Sequence, residues 1–255
     1  MKQTISIKQA VSFAFSTLTT RYGLLFIVVI ASFVVPFVAF LVPLLSIGIP
    51  LGFLGKVIQP TIPPQAFQTW FTSPAVILVF IVTAIIGIFV YIWAMLAITD
   101  VLLRLHQGVQ WSRSQLHHLR SLILPALGAI ILYHTGRVIL FILLVIPGII
   151  WILSCGFYWY VLVDEHQGAI DSLKESARLT RGHRLQLLLF YALFLGSTAI
   201  LGILLRSISG SPVTSGPKML DIMSTLISGI IQGIMALAEI DIYYQLKNMY
   251  AIKKV

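Results

Sequence analysis

The chain has 255 residues, of which 58% are hydrophobic and only 10% are charged. Soluble domains carry roughly 25% charged residues, so this composition excludes an ordinary soluble core with a polar surface. In a membrane the outer surface can itself be apolar, and helices satisfy their own backbone groups there. The composition therefore predicts an all-α polytopic membrane protein, with residues 1–255 forming a single integral membrane domain.

The net charge of +9 would suggest a nucleic-acid partner in a soluble protein. Here the basic residues flank apolar segments, so we expect the charge to set the orientation in the membrane and to attract anionic lipid. We expect the protein to have membrane lipids as partners, with possible contacts to other membrane proteins, and we do not expect nucleic acid as a partner.

The single cysteine, Cys155, lies in an apolar run and cannot form an intrachain disulfide.

Six segments are apolar enough to be candidate spans, since a hydrocarbon layer of ~30 Å takes about 20 helical residues. We predict them at residues 22–45, 74–99, 121–146, 148–163, 185–206 and 219–246. The apolar run of the first is too long for a cleavable signal peptide, so we expect it to be retained. Between the first two spans, residues 46–73 are rich in proline and glycine. They are expected to form a connecting loop, or an interfacial or re-entrant segment.

The third and fourth spans meet at Pro147 and Gly148. A single helix over 121–163 would be about 64 Å long, which is twice the thickness of a bilayer. Because Pro-Gly is a strong helix breaker, we predict a reversal at this pair, on the outer surface, between two antiparallel helices. The fourth span is short, and we expect four aromatic residues to anchor it at the interface: Trp151, Tyr158, Trp159 and Tyr160.

The lysine and arginine positions predict the orientation. Of the 17 basic residues, thirteen fall in segments on one side of the predicted spans, three fall on the other side, and Arg137 lies inside a span. Cytoplasmic loops carry the excess of such residues in membrane proteins. Both termini are therefore expected in the cytoplasm.

An amphipathic segment precedes each pair of spans on the predicted cytoplasmic side. The segments begin at Ser6, at Ser112 and after Gly168, and in the first two a glutamine three residues later fits a capping box. The order predicts a threefold repeat of one amphipathic helix and two spans. The alternative is that basic amphipathic loops occur on the cytoplasmic side of membrane proteins without any repeat.

The third amphipathic segment has two distinct faces. One face carries the apolar side chains Ile170, Leu173 and Ala177. The other carries charges of opposite sign three residues apart, which would support a helix. The expected pairs are Asp171 with Lys174 and Glu175 with Arg178.

A recognisable motif begins at Ile146-Pro147-Gly148-Ile149-Ile150 and continues, after a short span, with Val163-Asp164-Glu165, Gly168 and the helix Ser172 to Thr180. This order resembles the YciC-type inner-membrane proteins of bacteria and the membrane domain of some glycerophosphoryl diester phosphodiesterases, most specifically over 140–190. The resemblance implies a multi-pass protein of the bacterial inner membrane. It implies no catalysis, because the phosphodiesterase barrel is a separate domain for which this chain has no room.

Charged residues inside predicted spans are the main candidates for a site, because burying them in lipid is costly. Arg137 lies within the third span, one turn after His134, and Glu239 and Asp241 lie near the inner end of the sixth. For Arg137 the alternatives are pairing inside the bundle, snorkelling outward, and contact with a ligand or lipid headgroup. Its depth favours an interior position, bonded first to carbonyls or water and second to Glu239. For the acids, interfacial anchoring is the alternative to a ligand site.

No catalytic, cofactor-binding or metal-binding arrangement is expected. Adjacent His117 and His118 point to different sides of a helix, and acids are too few for a Ser-His-Asp arrangement. We therefore expect a non-enzymatic protein that supports membrane or lipid homeostasis by binding lipid or partner proteins. The alternatives are a small-solute transporter or channel, which broken mid-membrane helices would favour, and an accessory subunit of a larger membrane complex.

Overall fold

The structure is a computed structural model that describes residues 4–20, 74–109, 116–209 and 219–252. Within these ranges the chain is helical, apart from short turns and one 3-10 segment at Arg120–Leu122. The helices are α1 (Ile7–Thr20), α2 (Pro74–His106), α3 (Leu116–Leu119), α4 (Ile123–Leu143), α5 (Val145–Cys155), α6 (Tyr158–Glu165), α7 (Ala169–Leu179), α8 (Arg184–Ser209) and α9 (Met219–Ile252). The predicted span 22–45 and the connector 46–73 lie outside the described residues.

Five described segments are long and apolar enough to cross a membrane. They are Ile81–His106, Arg120–Leu143, Val145–Glu165, Arg184–Leu204 and Ile227–Ile252. These match the second to sixth predicted spans, so the all-α architecture is confirmed, and the five candidate spans agree with the prediction of a membrane protein. The total of six spans stays a prediction, because the first falls on residues that are not described.

The chain divides into two compact units, Met1–Val29 with Leu96–Val255, and Ile30–Met95. In the second unit the described residues form the first part of α2. Its exposed aliphatic side chains include Ile77, Leu78, Ile81, Val82, Ile85 and Ile86. An apolar surface of this kind suits contact with lipid. The features described below belong to the first unit.

Helices α4 and α5 form an antiparallel hairpin that depends on two glycines. A Cβ at Gly148 in α5 would lie 2.6 Å from the Phe141 ring of α4, and a Cβ at Gly136 in α4 would lie 2.6 Å from the Trp151 ring of α5. Later residues of α5 thus meet earlier residues of α4, as antiparallel packing requires. Each glycine provides the space into which an aromatic ring of the other helix packs.

The chain reverses before Pro147-Gly148, and the predicted position of the turn was wrong by a few residues. α4 ends at Leu143, Leu144 is extended with φ −160° and ψ 133°, and α5 begins at Val145. Pro147 lies in the first turn of α5, where a missing N–H breaks no intrahelical bond. The Gly148 N–H makes the first bond of the new helix, 3.3 Å from the Leu144 carbonyl. The pair therefore starts a helix instead of ending one.

Helix α1 packs along α9 through small side chains. Ala10 and Ala14 are fully buried, and the Ser6 N–H donates to the Gln245 side-chain carbonyl at 2.8 Å. Half of the predicted capping box is present, because the Gln9 N–H donates to the Ser6 hydroxyl at 3.3 Å. The corresponding segment at Ser112 lies outside the described residues, so the threefold repeat stays a prediction.

Candidate functional site

The candidate span Val145–Glu165 is interrupted near its middle. α5 ends at Cys155, α6 begins at Tyr158, and Gly156 and Phe157 form a turn between them. A break in a helix releases backbone N–H and C=O groups that are costly to bury without partners. Phe157 itself is buried, so its amide must find a partner within the protein.

Hydroxyl groups of α7 supply the missing partners. The Ser176 hydroxyl donates to the Ser154 carbonyl at 2.9 Å and accepts from the Phe157 N–H at 3.2 Å. The Thr180 hydroxyl lies 3.2 Å from the same carbonyl and 3.0 Å from the Ser176 carbonyl of its own helix, and shares one proton between them. Together with Ser172, these residues form a hydroxyl stripe with a four-residue spacing, and all three are fully buried.

A second polar feature joins α6 to α9. The Tyr160 hydroxyl donates to the Glu239 carboxylate at 3.0 Å. One turn further along both helices, the Tyr243 hydroxyl donates to Asp164 at 2.8 Å. We call the residues Tyr160, Asp164, Glu239, Tyr243 and Lys247 the polar ladder.

Lys247 closes the polar ladder with an ion pair. Its ammonium lies 2.6 Å from Asp164 Oδ2 and 3.1 Å from Glu165 Oε1. One lysine thus balances two carboxylates at the end of α6. Glu239, Tyr243 and Lys247 are four residues apart on α9, so the ladder holds α6 against one face of that helix.

The two acids predicted in the sixth span both have protein partners. Glu239 belongs to the polar ladder, and Asp241 is only 5% exposed. Asp241 accepts a hydrogen bond from the Gln245 side-chain amide at 2.6 Å. The structure does not bring either acid into contact with Arg137. Their observed contacts join helices of the protein to one another.

The prediction that Arg137 faces the interior of the bundle was wrong. Its side chain is exposed, as is that of His134, and Arg137 makes no hydrogen bond or ion pair with any described residue. The buried face of α4 is set by Ala126 and Ala129 and by Gly136 under the Trp151 ring. Arg137 follows Gly136 directly, so it is rotated about 100° away from that face.

His134 contacts its chain neighbour. Its ring lies edge-on to that of Tyr133, with centroids 5.2 Å apart.

Two of the predicted interfacial aromatic anchors are placed differently from expectation. Tyr158 and Tyr160 are 3% and 8% exposed, so they pack within the protein, and the Tyr160 hydroxyl belongs to the polar ladder.

A cavity of ≈ 400 Å³ lies among α4, α5 and α7. Among the described residues, six apolar side chains and one charged side chain, that of Lys174, line it. The predicted pair Asp171–Lys174 is not formed, whereas Glu175 and Arg178 pair at 3.1 Å as expected.

In the part of the chain that the structure describes, no three His, Cys, Asp or Glu side chains converge to hold a metal ion.

Sequence reasoning missed the hydroxyl stripe and the polar ladder. The signal for the stripe was present in the sequence, because Ser172, Ser176 and Thr180 recur every four residues on the buried side of an amphipathic helix. The ladder was harder to find, since its partners are 79 residues apart in the pairs Tyr160–Glu239 and Tyr243–Asp164. No local pattern links positions so distant in the chain.

Residues 68–246 match the model of a domain family of unknown function, DUF7847. Neither the comparison with curated proteins nor that with solved structures gave a match. The matched region contains the cavity, the hydroxyl stripe and all of the polar ladder except Lys247. The match gives no link to the YciC-type proteins, so that resemblance stays a prediction. Because the family model covers more than half of its length, the chain belongs to the DUF7847 family.

Proposed function

We propose that the protein is a non-enzymatic multi-pass membrane protein that supports membrane or lipid homeostasis by binding lipid. The observation that carries this proposal is the position of α7. Buried hydroxyls fix this amphipathic helix to the break in a candidate span. Its opposite side leaves Lys174 and Arg178 exposed, followed by exposed Arg181. Asp171 and Glu175 balance the two cations within α7, and Glu175 pairs with Arg178. Lys174 has no partner among the described residues, and with Arg181 it leaves positive charge beside an apolar hairpin, which is suited to anionic lipid headgroups.

The apolar surfaces of α4 and α8 support the same proposal. Both α4 and α8 expose long rows of aliphatic side chains. They include Leu124, Ile131, Leu132, Val138, Ile139 and Ile142 in α4, and Leu185, Leu189, Leu193, Leu195, Ile200 and Ile203 in α8. Lipid can cover such rows without any further protein.

The lipid proposal is tested by the phospholipids that remain with the chain when it is purified in a mild detergent. We expect anionic phospholipid to be enriched over its share of the host membrane, and added anionic lipid to raise the unfolding temperature. The control is a membrane protein of similar size without a basic amphipathic helix. A lipid composition equal to that of the bulk membrane, with no thermal shift, would contradict the proposal.

For topology, we propose six spans in the bacterial inner membrane, with both termini in the cytoplasm and a threefold repeat of amphipathic helix and paired spans. The distribution of basic residues supports the orientation. The amphipathic helices α1 and α7, which precede the first and third pairs of spans, support the repeat.

Cysteine labelling in intact spheroplasts tests the orientation, in a Cys155→Ala background. A membrane-impermeant reagent should label Thr61→Cys and should leave Ser114→Cys unmodified. Labelling of Ser114→Cys alone would show that the orientation is reversed.

The break at Gly156 and Phe157 favours a second candidate, a transporter for a small solute, because transporters build their binding sites at interrupted helices. In this protein the hydroxyl stripe closes the break, which favours the lipid-binding proposal. Proteoliposomes decide between the two. Specific uptake of a small solute, abolished by Glu239→Gln or Gly156→Leu, would favour transport, and its absence together with enrichment of anionic lipid would favour lipid binding.

A further inference from the structure

One face of α7 forms a wall of the cavity. Ile170, Leu173, Lys174 and Ala177 all line it, and their spacing of i, i+3, i+4 and i+7 places them on a single side of the helix. The hydroxyl stripe occupies a different side, against the break between α5 and α6. The same helix is therefore anchored by its hydroxyls while it presents an apolar face to the cavity.

The opposite wall of the cavity is held in a fixed geometry. Trp151 lines the cavity, and its indole N–H donates to the Tyr133 carbonyl at 3.0 Å. The same indole packs directly on Gly136. Because both the hydrogen bond and this close contact fix the ring, the cavity is a preformed feature of the hairpin.

Lys174 places a positive charge on the apolar lining. Its ammonium makes no hydrogen bond or ion pair with any residue that the structure describes. The nearest acid along that side of the helix, Asp171, does not pair with it, whereas the neighbouring Glu175 pairs with Arg178. Lys174 is therefore available to an anion at the edge of an apolar cavity.

The position of the cavity identifies the kind of ligand. Leu132 and Ile170, which line it, are 43% and 56% exposed and continue the row of exposed aliphatic side chains on α4. A volume of ≈ 400 Å³ lies within the roughly 300–1,000 Å³ of small-molecule sites, and its apolar lining favours an apolar ligand. An acyl chain matches the lining, and a phosphate matches the lysine.

We propose that this cavity binds an acyl chain of an anionic phospholipid, with the lipid phosphate held by the Lys174 ammonium. The inference rests on the proposed lipid-binding function and gives it a site and a ligand class. Zwitterionic phospholipids share the acyl chain but lack the net negative charge. The site is therefore expected to prefer phosphatidylglycerol over phosphatidylcholine.

Native mass spectrometry of the full chain, titrated with phosphatidylglycerol or phosphatidylcholine, tests the site. Lys174→Gln should weaken phosphatidylglycerol binding by about fivefold, as expected for one lysine at an anionic surface, and weaken phosphatidylcholine binding less, because the choline cation offsets the charge of its phosphate. Ala177→Leu, which fills the cavity, should weaken both lipids. The matched control is Arg178→Gln, because this cation is on the same helix but does not line the cavity, and it should have little effect.

The possible outcomes distinguish an error in the proposed lipid site from an error in the proposed lipid-binding function. If Lys174→Gln and Arg178→Gln weaken phosphatidylglycerol equally, or if Ala177→Leu folds normally and binds as the parent does, the site is wrong although lipid binding stands. If the parent chain itself shows no preference for phosphatidylglycerol, the proposed function fails as well. The unfolding temperature of each variant shows whether it has folded.

Discussion

The hydroxyl of Ser176 lies 2.9 Å from the carbonyl oxygen of Ser154, across the interface between α7 and the broken span. The same hydroxyl accepts the Phe157 N–H at 3.2 Å, so one side chain satisfies groups on both sides of the break. A helix break inside a candidate span is stable in this protein because a neighbouring helix completes its hydrogen bonds.

Removing the Ser176 hydroxyl is therefore expected to destabilise the protein. Ser176→Ala leaves a buried carbonyl and a buried amide without this partner, at a cost of about 1–3 kcal/mol. The control is Ser121→Ala, since Ser121 is exposed and, among the described residues, bonds only to the nearby His118 carbonyl. Unfolding in detergent by heat or denaturant measures both. Equal stability of the two variants would show that α7 does not support the break.

The bond between Tyr160 and Glu239 is expected to contribute to stability as a coupled pair. A typical intramolecular hydrogen bond contributes about 0.5–1.5 kcal/mol, so Tyr160→Phe and Glu239→Leu, which removes the acceptor, should be non-additive in a double-mutant cycle. The control cycle combines Tyr160→Phe with Asp241→Asn, because Asp241 bonds to Gln245 instead. That pair should be additive. Additivity in both cycles would mean that the ladder contact is not formed.

Alanine at Gly148 is expected to disrupt the hairpin of α4 and α5. The added methyl group would lie 2.6 Å from the Phe141 ring, and overpacking of this kind costs about 1–3 kcal/mol. At Gly196 in α8 nothing lies within 4 Å of an added Cβ. Gly196→Ala should therefore keep or raise stability, by about 0.5–1 kcal/mol from helix propensity. The reverse order of stabilities in a melting assay would contradict the hairpin packing.

Replacing Arg137 by leucine is expected to leave stability unchanged or to increase it. The side chain is exposed and has no described partner, and removing an arginine from an apolar span relieves an insertion cost of about 2.5–3.5 kcal/mol. Arg137→Lys serves as the comparison, because it keeps the charge. If leucine lowers the melting temperature and lysine lowers it less, Arg137 is hydrogen-bonded inside the bundle after all.

The apolar composition was sufficient to predict the helices, because long apolar runs in a helix need no distant partner to be recognised. The rotation of each helix was not predictable in the same way. Depth along the third span suggested that Arg137 faces inward, but the small residues Ala126, Ala129 and Gly136 determine which side of α4 is buried. The positions of these small residues therefore predict the buried face of α4 better than the free-energy cost of placing the Arg137 charge in lipid does.

Pro147-Gly148 illustrates a second limit of sequence reasoning. A Pro-Gly pair indicates that one helix does not continue, but it does not say on which side of the turn the pair lies. Proline fits the first turn of a helix as readily as a loop, and Gly148 was required by the Phe141 ring, which is seven residues earlier in the chain. The polar ladder and the cavity likewise depend on contacts between distant segments.

A structure of the full chain in lipid nanodiscs containing phosphatidylglycerol tests the lipid-binding account most directly. The account predicts density for an acyl chain between Leu132, Trp151 and Leu173, with a phosphate within about 4 Å of the Lys174 ammonium, the range of an ion pair. Ordered lipid at other positions around the helices, with none between α4 and α7, would contradict it.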